Sequence, residues 1–271
     1  VYDTMHHITE KLIGIHMKDL SGCRTFDVVM KDFLAWCGED FMFGTWGPQD
    51  LTELQKNMRF FGMEPLGKGP VRFYDIQKLF SIAYEDQKVR RSLEYAVDYL
   101  QIPKDIPFHR AISDAVYTAR VFQMIKDPIA LQRVSFDTFQ LPENHRSEVH
   151  VVFDNYAKYI SRAFPDKEAL MADKEVLSTR CYLCHHNLRK KVRWFSPNGK
   201  HYYSLSWCDK HGWMKGKIRV KKAEDDMVYA VKTTKLVGEK EVAALMERKD
   251  HIRQLRKEHR HREAQEKLGK R

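Results

Sequence analysis

At 271 residues, with 43% hydrophobic and 31% charged residues, the chain can bury a sizeable core as one large or two smaller domains. It has neither an apolar run long enough to cross a bilayer nor an export-signal pattern, so membrane spanning and Sec-type secretion are not expected and the cytoplasm is. Charge is uneven: residues 1–150 hold 18 Lys or Arg against 21 Asp or Glu, residues 151–271 hold 29 against 16, and the whole carries +10. The first part could therefore hold metal through carboxylates and the second a polyanion, although ordinary solvated surface charge is the alternative for both.

The chain opens on Val1, which reads as a processed product or a fragment with material missing upstream. Residues 1–22 read as a loop with short helical pieces, punctuated by Gly14 and Gly22. From Thr25 to Trp36, the apolar positions Phe26, Val29, Met30, Phe33 and Leu34 predict a one-sided helix that Thr25 caps and Gly38 stops. Phe41 to Thr45 predicts a short buried strand running into the sharp turn Trp46-Gly-Pro-Gln-Asp50, with Leu51, Leu54 and Met58 forming a helix behind it. Asp50 then lies just beyond the end of a strand, where open α/β sheets carry ligands. A plain helix-capping aspartate is the alternative.

A Gly- and Pro-rich loop over 62–70 precedes a strand at Arg72–Gln77 and a helix through Tyr84. Another helix covers Arg91–Leu100, with Ser92 as its cap. Pro103 and Pro107 shape a loop that delivers His109 to a further helix. There Ala115, Val116, Ala119, Phe122 and Ile125 predict the buried stripe, and Asp114 stands beside it. A carboxylate so placed needs a proton or a cation, yet a solvated histidine and a first-turn aspartate describe the same residues. The strand-then-helix rhythm predicts an α/β domain over 1–128. Residues 129–176 read as a helical connector, with a helix at Phe153–Phe164 turning Tyr156, Tyr159 and Ile160 inward and a short one at Leu170–Val176.

Cys181-Tyr-Leu-Cys184, 23 intervening residues and Cys208-Asp-Lys-His211 pair two close knuckles of soft ligands. That is what a tetrahedral structural Zn²⁺ needs, and four protein ligands leave no position open for catalysis. A buried cysteine cluster without metal, or redox work, are the other readings; His185 and His186 compete with His211 for the fourth place. Between the knuckles, Val192–Phe195, the turn Ser196-Pro-Asn-Gly199 and His201–Trp207 predict a hairpin. Basic residues interleave with Trp194, Phe195, Tyr202, Tyr203, Trp207 and Trp213 through this module, which spans 177–238. Positive charge binds phosphate and exposed rings stack on bases; a solubilising surface or a protein-binding face remain open. One more strand is expected at 226–237, then a charged helix or tail over 239–271 with 11 Lys or Arg against 7 Asp or Glu.

Four stretches of the first part carry a family resemblance: Phe43-Gly-Thr-Trp-Gly-Pro-Gln-Asp50, Phe73-Tyr-Asp-Ile76, Ser92-Leu-Glu-Tyr-Ala96 and Phe108-His-Arg-Ala-Ile-Ser-Asp-Ala115. Together they resemble the later motifs of DEDDh-type 3′→5′ exonucleases, in the branch of the histone-mRNA and small-RNA trimming enzymes and the bacterial sporulation-inhibitor exonuclease. The resemblance covers roughly residues 5–126, and the zinc-type end resembles an accessory module of some bacterial relatives. It implies a ribonuclease-H-like fold and a site of four carboxylates, a histidine and two Mg²⁺ or Mn²⁺ ions acting on a single-stranded RNA or DNA 3′ end. Asp50 matches the third carboxylate, Asp114 the fourth and His109 the general base. Beside them Trp46 and Arg110, and in the basic module Lys190, Lys191, Arg193, Trp194, Lys215 and Lys217, are the residues expected to touch the nucleic acid. The family's first motif, Asp-x-Glu on the leading strand, does not occur, and Asp3 has no partner at the required spacing. Two metals need more carboxylates than Asp50 and Asp114 supply, so little or no nuclease activity is expected of this chain. A non-catalytic nucleic-acid-binding or scaffold protein built on the basic module is the competing class.

Overall fold

The computed structural model describes residue 11 and residues 14–86 and 89–268. Helical pieces expected before Lys11, Asp3, and the C-terminal helix beyond Leu268 lie outside the described residues. Contacts divide the chain into two units with the break between Gln140 and Leu141. Both belong to a mixed α/β architecture.

In the first unit, α1 (Phe26–Cys37) ends on Gly38 at φ +73°, a left-handed turn that glycine takes without steric cost. Then follow β1 (Phe43–Thr45), α2 (Gln49–Phe60), β2 (Val71–Asp75), α3 (Ile76–Tyr84), α4 (Leu93–Tyr99), α5 (Ala111–Met124), α6 (Pro128–Leu131) and β3 (Ser135–Asp137). β1 runs parallel to β2 with Phe43 opposite Phe73 and Thr45 opposite Asp75, while β3 lies antiparallel on the other side of β2. The core is helical: Leu79 and Phe80 of α3, Ala96 and Val97 of α4, and Tyr117 and Val121 of α5 are buried together. Ser92 caps α4 as expected, its hydroxyl accepting from the Tyr95 N–H.

Two expectations need correction here. The buried face of α5 is Ser113, Tyr117, Thr118 and Val121, rotated from the predicted stripe, so that Ala115 and Ala119 are exposed. Tyr117 causes the rotation: its hydroxyl donates to the Ile106 carbonyl and accepts from the Ile106 N–H, and its ring stacks on Phe108 with centroids 4.4 Å apart. Nor does the unit end near Pro128, because β3 completes its sheet. Asp137 of β3 is buried and accepts from Thr52 Oγ1 at 2.6 Å, Gln55 Nε2 at 2.7 Å and the Phe139 N–H at 3.0 Å. Three donors satisfy a carboxylate that burial would otherwise penalise, and they tie α2 to the edge of the sheet.

The second unit is built on a six-stranded antiparallel sheet in the order β4-β5-β9-β8-β7-β6. Its elements are β4 (Val149–Phe153), β5 (Tyr156–Ile160), α7 (Lys167–Ala172), β6 (Arg189–Phe195), β7 (His201–Cys208), β8 (Gly212–Lys222), β9 (Val228–Leu236) and α8 (Glu239–Leu268). The predicted helix at Phe153–Phe164 is therefore a hairpin, and 129–176 is not a helical connector. Phe153 pairs with Tyr156 across the two-residue turn Asp154-Asn155, and β5 joins the zinc-type module's strands through β9. At the β8–β9 tip, consecutive left-handed residues Asp225 (φ +53°) and Asp226 (φ +57°) make a turn whose twist suits a hairpin.

Strand pairing sorts the side chains onto two faces. One face carries Tyr159, Ile218 and Ala230, covered by Phe164, Leu170 and Val176, and at its other end Cys181, Tyr182, Cys208 and Met214. The opposite face buries Val192 and Leu205 under Val242 and Leu245 of α8. Register shifts between Lys190 and Val192, and again between Val192 and Phe195, change which face β6 residues take. Trp194 consequently lies across Gly216 of β8, on the first face, with its Nε1 donating to the Leu177 carbonyl at 3.0 Å.

Candidate functional site

Each knuckle is a turn that brings two ligands together. After Cys184, the His185 N–H donates to the Cys181 carbonyl and the Cys181 N–H to the His186 carbonyl, both at 2.9 Å. After Cys208, the His211 N–H donates back to the Cys208 carbonyl at 3.3 Å. The residue following each second ligand is left-handed, His185 at φ +58° and Gly212 at φ +82°, which redirects the chain away from the cluster. β7 and β8 carry the second knuckle on their shared hairpin, with Cys208 opposite Gly212.

The ligand atoms of Cys181, Cys184, Cys208 and His211 all lie within 4.8 Å of one another. Cys184 Sγ is 3.6 Å from Cys208 Sγ, and His211 Nδ1 is 3.5 Å from both Cys181 Sγ and Cys208 Sγ. A tetrahedral Zn²⁺ with ordinary bond lengths sets edges of about 3.8 Å between sulfurs and about 3.5 Å between sulfur and nitrogen. The cluster thus has the geometry of a structural zinc site, and the sulfurs are too far apart for a disulfide. Hydrogen bonding from the His186 backbone is the largest influence holding the Cys184 thiol down, at about 6, while burial pushes Cys181 up. His211, not His185 or His186, completes the group.

The residues expected at a nuclease site are placed differently. Asp50 sits in the first turn of α2, exposed, with burial of part of its surroundings raising its pKa. His109 lies in the loop before α5 at φ +67°, exposed, and its backbone N–H donates to Asp114 Oδ1 at 3.3 Å. Asp114 occupies the first turn of α5, and α5 packs against β1. Among the described residues, no converging group of three or more His, Cys, Asp or Glu side chains includes Asp50, His109 or Asp114.

The expected nucleic-acid contacts also divide. Trp46 is half-buried against Phe80, its Nε1 donating to the Arg91 carbonyl at 3.2 Å, and Trp194 fills the space over Gly216. Neither ring is presented for stacking, a correction to the expectation. Lys215 pairs with Glu241 at 3.3 Å. Arg110 is the exposed cap residue of α5, and Lys190, Lys191, Arg193 and Lys217 are exposed.

Beside the zinc-type cluster lies a cleft of about 570 Å³ whose lining includes Arg189, Lys191, Lys210, His186 and Trp207, with Asp209 as its one carboxylate. Trp207 stands opposite Arg189 in the β6–β7 pairing, is 38% exposed, and is braced edge-on by Trp213 with centroids 5.2 Å apart. Arg189, Lys210 and Trp207 belonged to the interleaved basic and aromatic set, but only the strand register separates them from the rings that fill the core.

No family model, no curated protein sequence and no solved structure matches this chain. No described helix is long and apolar enough to cross a membrane.

Proposed function

We propose that the chain binds single-stranded nucleic acid through the cleft beside the Cys3His cluster, as a binding module and not through catalysis. The observation that carries this reading is Trp207, a braced and exposed ring flanked by Arg189, Lys191 and Lys210. An unpaired base stacks on an indole regardless of its identity, and neighbouring cations meet its phosphates. Zn²⁺ bound by Cys181, Cys184, Cys208 and His211 would hold this wall of the cleft in place; its chemistry is structural, since the four residues fill a tetrahedral shell. The test is fluorescence anisotropy of a labelled single-stranded oligonucleotide. Trp207→Ala is expected to weaken binding by about five- to a hundredfold, the range of one base–aromatic stack. Affinity should fall with added salt. Salt-insensitive binding, or a Trp207→Ala variant as tight as wild type, would remove the reading.

A second reading keeps the exonuclease chemistry that the motif resemblance implies, with a ribonuclease-H-like first unit. It is favoured by one observation: the helix bearing Asp114 packs on β1, the strand that leads into the turn before Asp50. In that reading Asp114 and Asp50 would each bind a divalent ion and His109 would take the proton from the attacking water. Incubating the same labelled oligonucleotide with Mg²⁺ or Mn²⁺ tests it. Shortening that disappears in Asp114→Asn would favour the enzyme over the binder.

A further inference from the structure

A second cavity, of about 380 Å³, lies in the second unit on the sheet face that also carries Cys181 and Cys208. Its floor is formed by His150 and Val152 of β4, Ala157 and Tyr159 of β5, and Lys232 and Thr234 of β9. The strand pairing puts all six on one face, since Tyr159 is opposite both His150 and Lys232, and Ala157 opposite both Val152 and Thr234. Ser178, Arg180, Tyr182 and His185 supply a wall, with Glu175 and His145 at other points of the lining.

Three features mark this cavity as a ligand site. Tyr159, one of the lining residues, is only 4% exposed, and its hydroxyl is buried with no hydrogen-bond partner at ordinary distance, although the Glu148 carboxylate is near enough to act on it. A buried hydroxyl left unpaired is costly, and such groups in a native fold call for an explanation. Burial, reinforced by the Glu148 carboxylate, holds that hydroxyl protonated well above the usual phenol range, so it is a donor. Lys232, largely buried, lies over the Tyr159 ring at 4.8 Å and donates to the Glu175 and Ser178 carbonyls. Two of its three protons are thereby used and one remains.

The lining also has a direction. Of the lining residues, Tyr159 and Tyr182 are buried and Ala157 and Glu175 half-buried, which gives the deeper part aromatic and apolar surface together with a hydroxyl and a carboxylate, while Val152 is exposed. At the rim Arg180, His145 and His185 are exposed and basic or titratable. A flat ring with hydrogen-bonding edges suits the interior, and an anion suits the rim. The volume is at the small end of ligand pockets, about 300–1,000 Å³, room for one nucleotide and not for a stacked strand.

We infer that this cavity takes a single unstacked nucleotide, with its base against Tyr159 and its phosphate at the Arg180 rim. The choice of ligand rests on the nucleic-acid reading above; the cavity and the cleft at Trp207 are separate sites. Tyr159 Oη donates to an acceptor on the base edge, and Glu175 accepts from an exocyclic or ring N–H.

Calorimetric titration of the full chain with AMP, CMP, GMP and UMP, and separately with inorganic phosphate, tests this. At least one mononucleotide is expected to bind, and inorganic phosphate to bind at least about tenfold more weakly because it leaves the base contacts unmade. Tyr159→Phe removes only the hydroxyl, so its thermal midpoint should be unchanged or higher, and mononucleotide affinity should fall about three- to tenfold, the worth of one neutral hydrogen bond. Arg180→Ala, on the exposed rim, should weaken mononucleotides and leave free nucleosides unaffected. Failure of every mononucleotide to bind overturns the inference, as does a Tyr159→Phe variant with wild-type affinity. Oligonucleotide binding without mononucleotide binding overturns the cavity and leaves the cleft standing. Mononucleotide binding without oligonucleotide binding does the reverse.

Discussion

Gly216 offers a sharp test of how the second unit is packed. A Cβ added there would lie 2.5 Å from Trp194 Cη2 and 2.6 Å from Ser204 Oγ, whereas unstrained contacts need about 3.5–4.0 Å. The indole would have to retreat by about 1 Å or more. It cannot do so freely, because its Nε1 is held by the Leu177 carbonyl and its ring packs in the cluster of Tyr159, Leu170 and Ile218. Overpacking of a tight core costs about 1–3 kcal/mol and a lost hydrogen bond about 1 kcal/mol. Gly216→Ala should therefore destabilise the unit by about 2–4 kcal/mol, read as a urea midpoint lower by about 1–2 M at ordinary slopes. Gly69→Ala serves as the control, since nothing lies within 4 Å of its Cβ position. On a Trp194→Leu background the Gly216→Ala penalty should shrink, because the indole atoms are gone and only the contact with Ser204 Oγ is left. An unchanged midpoint for Gly216→Ala on the wild-type background would refute the packing.

Metal analysis of the purified chain should find one zinc per chain, and Cys184→Ser should lower both that content and the stability, the latter by about 3 kcal/mol or more; equal stability of wild type and variant in chelator would count against the site. Asp137→Ala strands Thr52, Gln55 and the Phe139 N–H, and is expected to cost the first unit about 3–5 kcal/mol in urea unfolding; a loss below 1 kcal/mol would mean these donors find water instead. Burial depresses Lys232 to about 8 from an ordinary 10.5, so between those values the unfolded chain binds the extra proton. Stability should rise with pH across that window by a few kcal/mol at most, and the rise should be absent in Lys232→Met; parallel pH curves for the two proteins would sink the assignment.

The zinc-type cluster was legible because its ligands are local: each knuckle is closed by hydrogen bonds within six residues, and only their meeting required the fold. Much of the first unit was legible for a similar reason, since caps such as Ser92 and stops such as Gly38 act on their own helices. Residues 153–164 misled because Tyr156, Tyr159 and Ile160 fall at helical spacing while also being neighbours in a strand. The overlooked sign was the polar pair Asp154-Asn155 between two runs rich in strand formers. Trp194 misled for a different reason. An alternating pattern assigns faces only while the register is unbroken; here one shift puts Lys190 and Val192 on opposite faces, and a second, between Val192 and Phe195, returns Trp194 to the face of Lys190. The cavity at Tyr159 is invisible along the chain, since its floor joins the β4–β5 hairpin to β9, some seventy residues farther on.

α8 is anchored early: Val242 and Leu245 are buried on the sheet, Arg248 covers the Tyr203 ring, and Arg256 donates to the Ser196 carbonyl. Farther along, Arg260 bonds back to the Arg256 carbonyl and Gln265 to His261, within the helix itself. Those two bonds are local to the helix, and local bonds alone are a marginal source of stability for so short a stretch. Hydrogen–deuterium exchange should consequently run as a gradient along this helix, fastest toward Leu268, and its steepness should respond to ionic strength while the docked turns stay protected. Trypsin would meet the same gradient, cutting after Lys257 or Arg260 before the sheet opens.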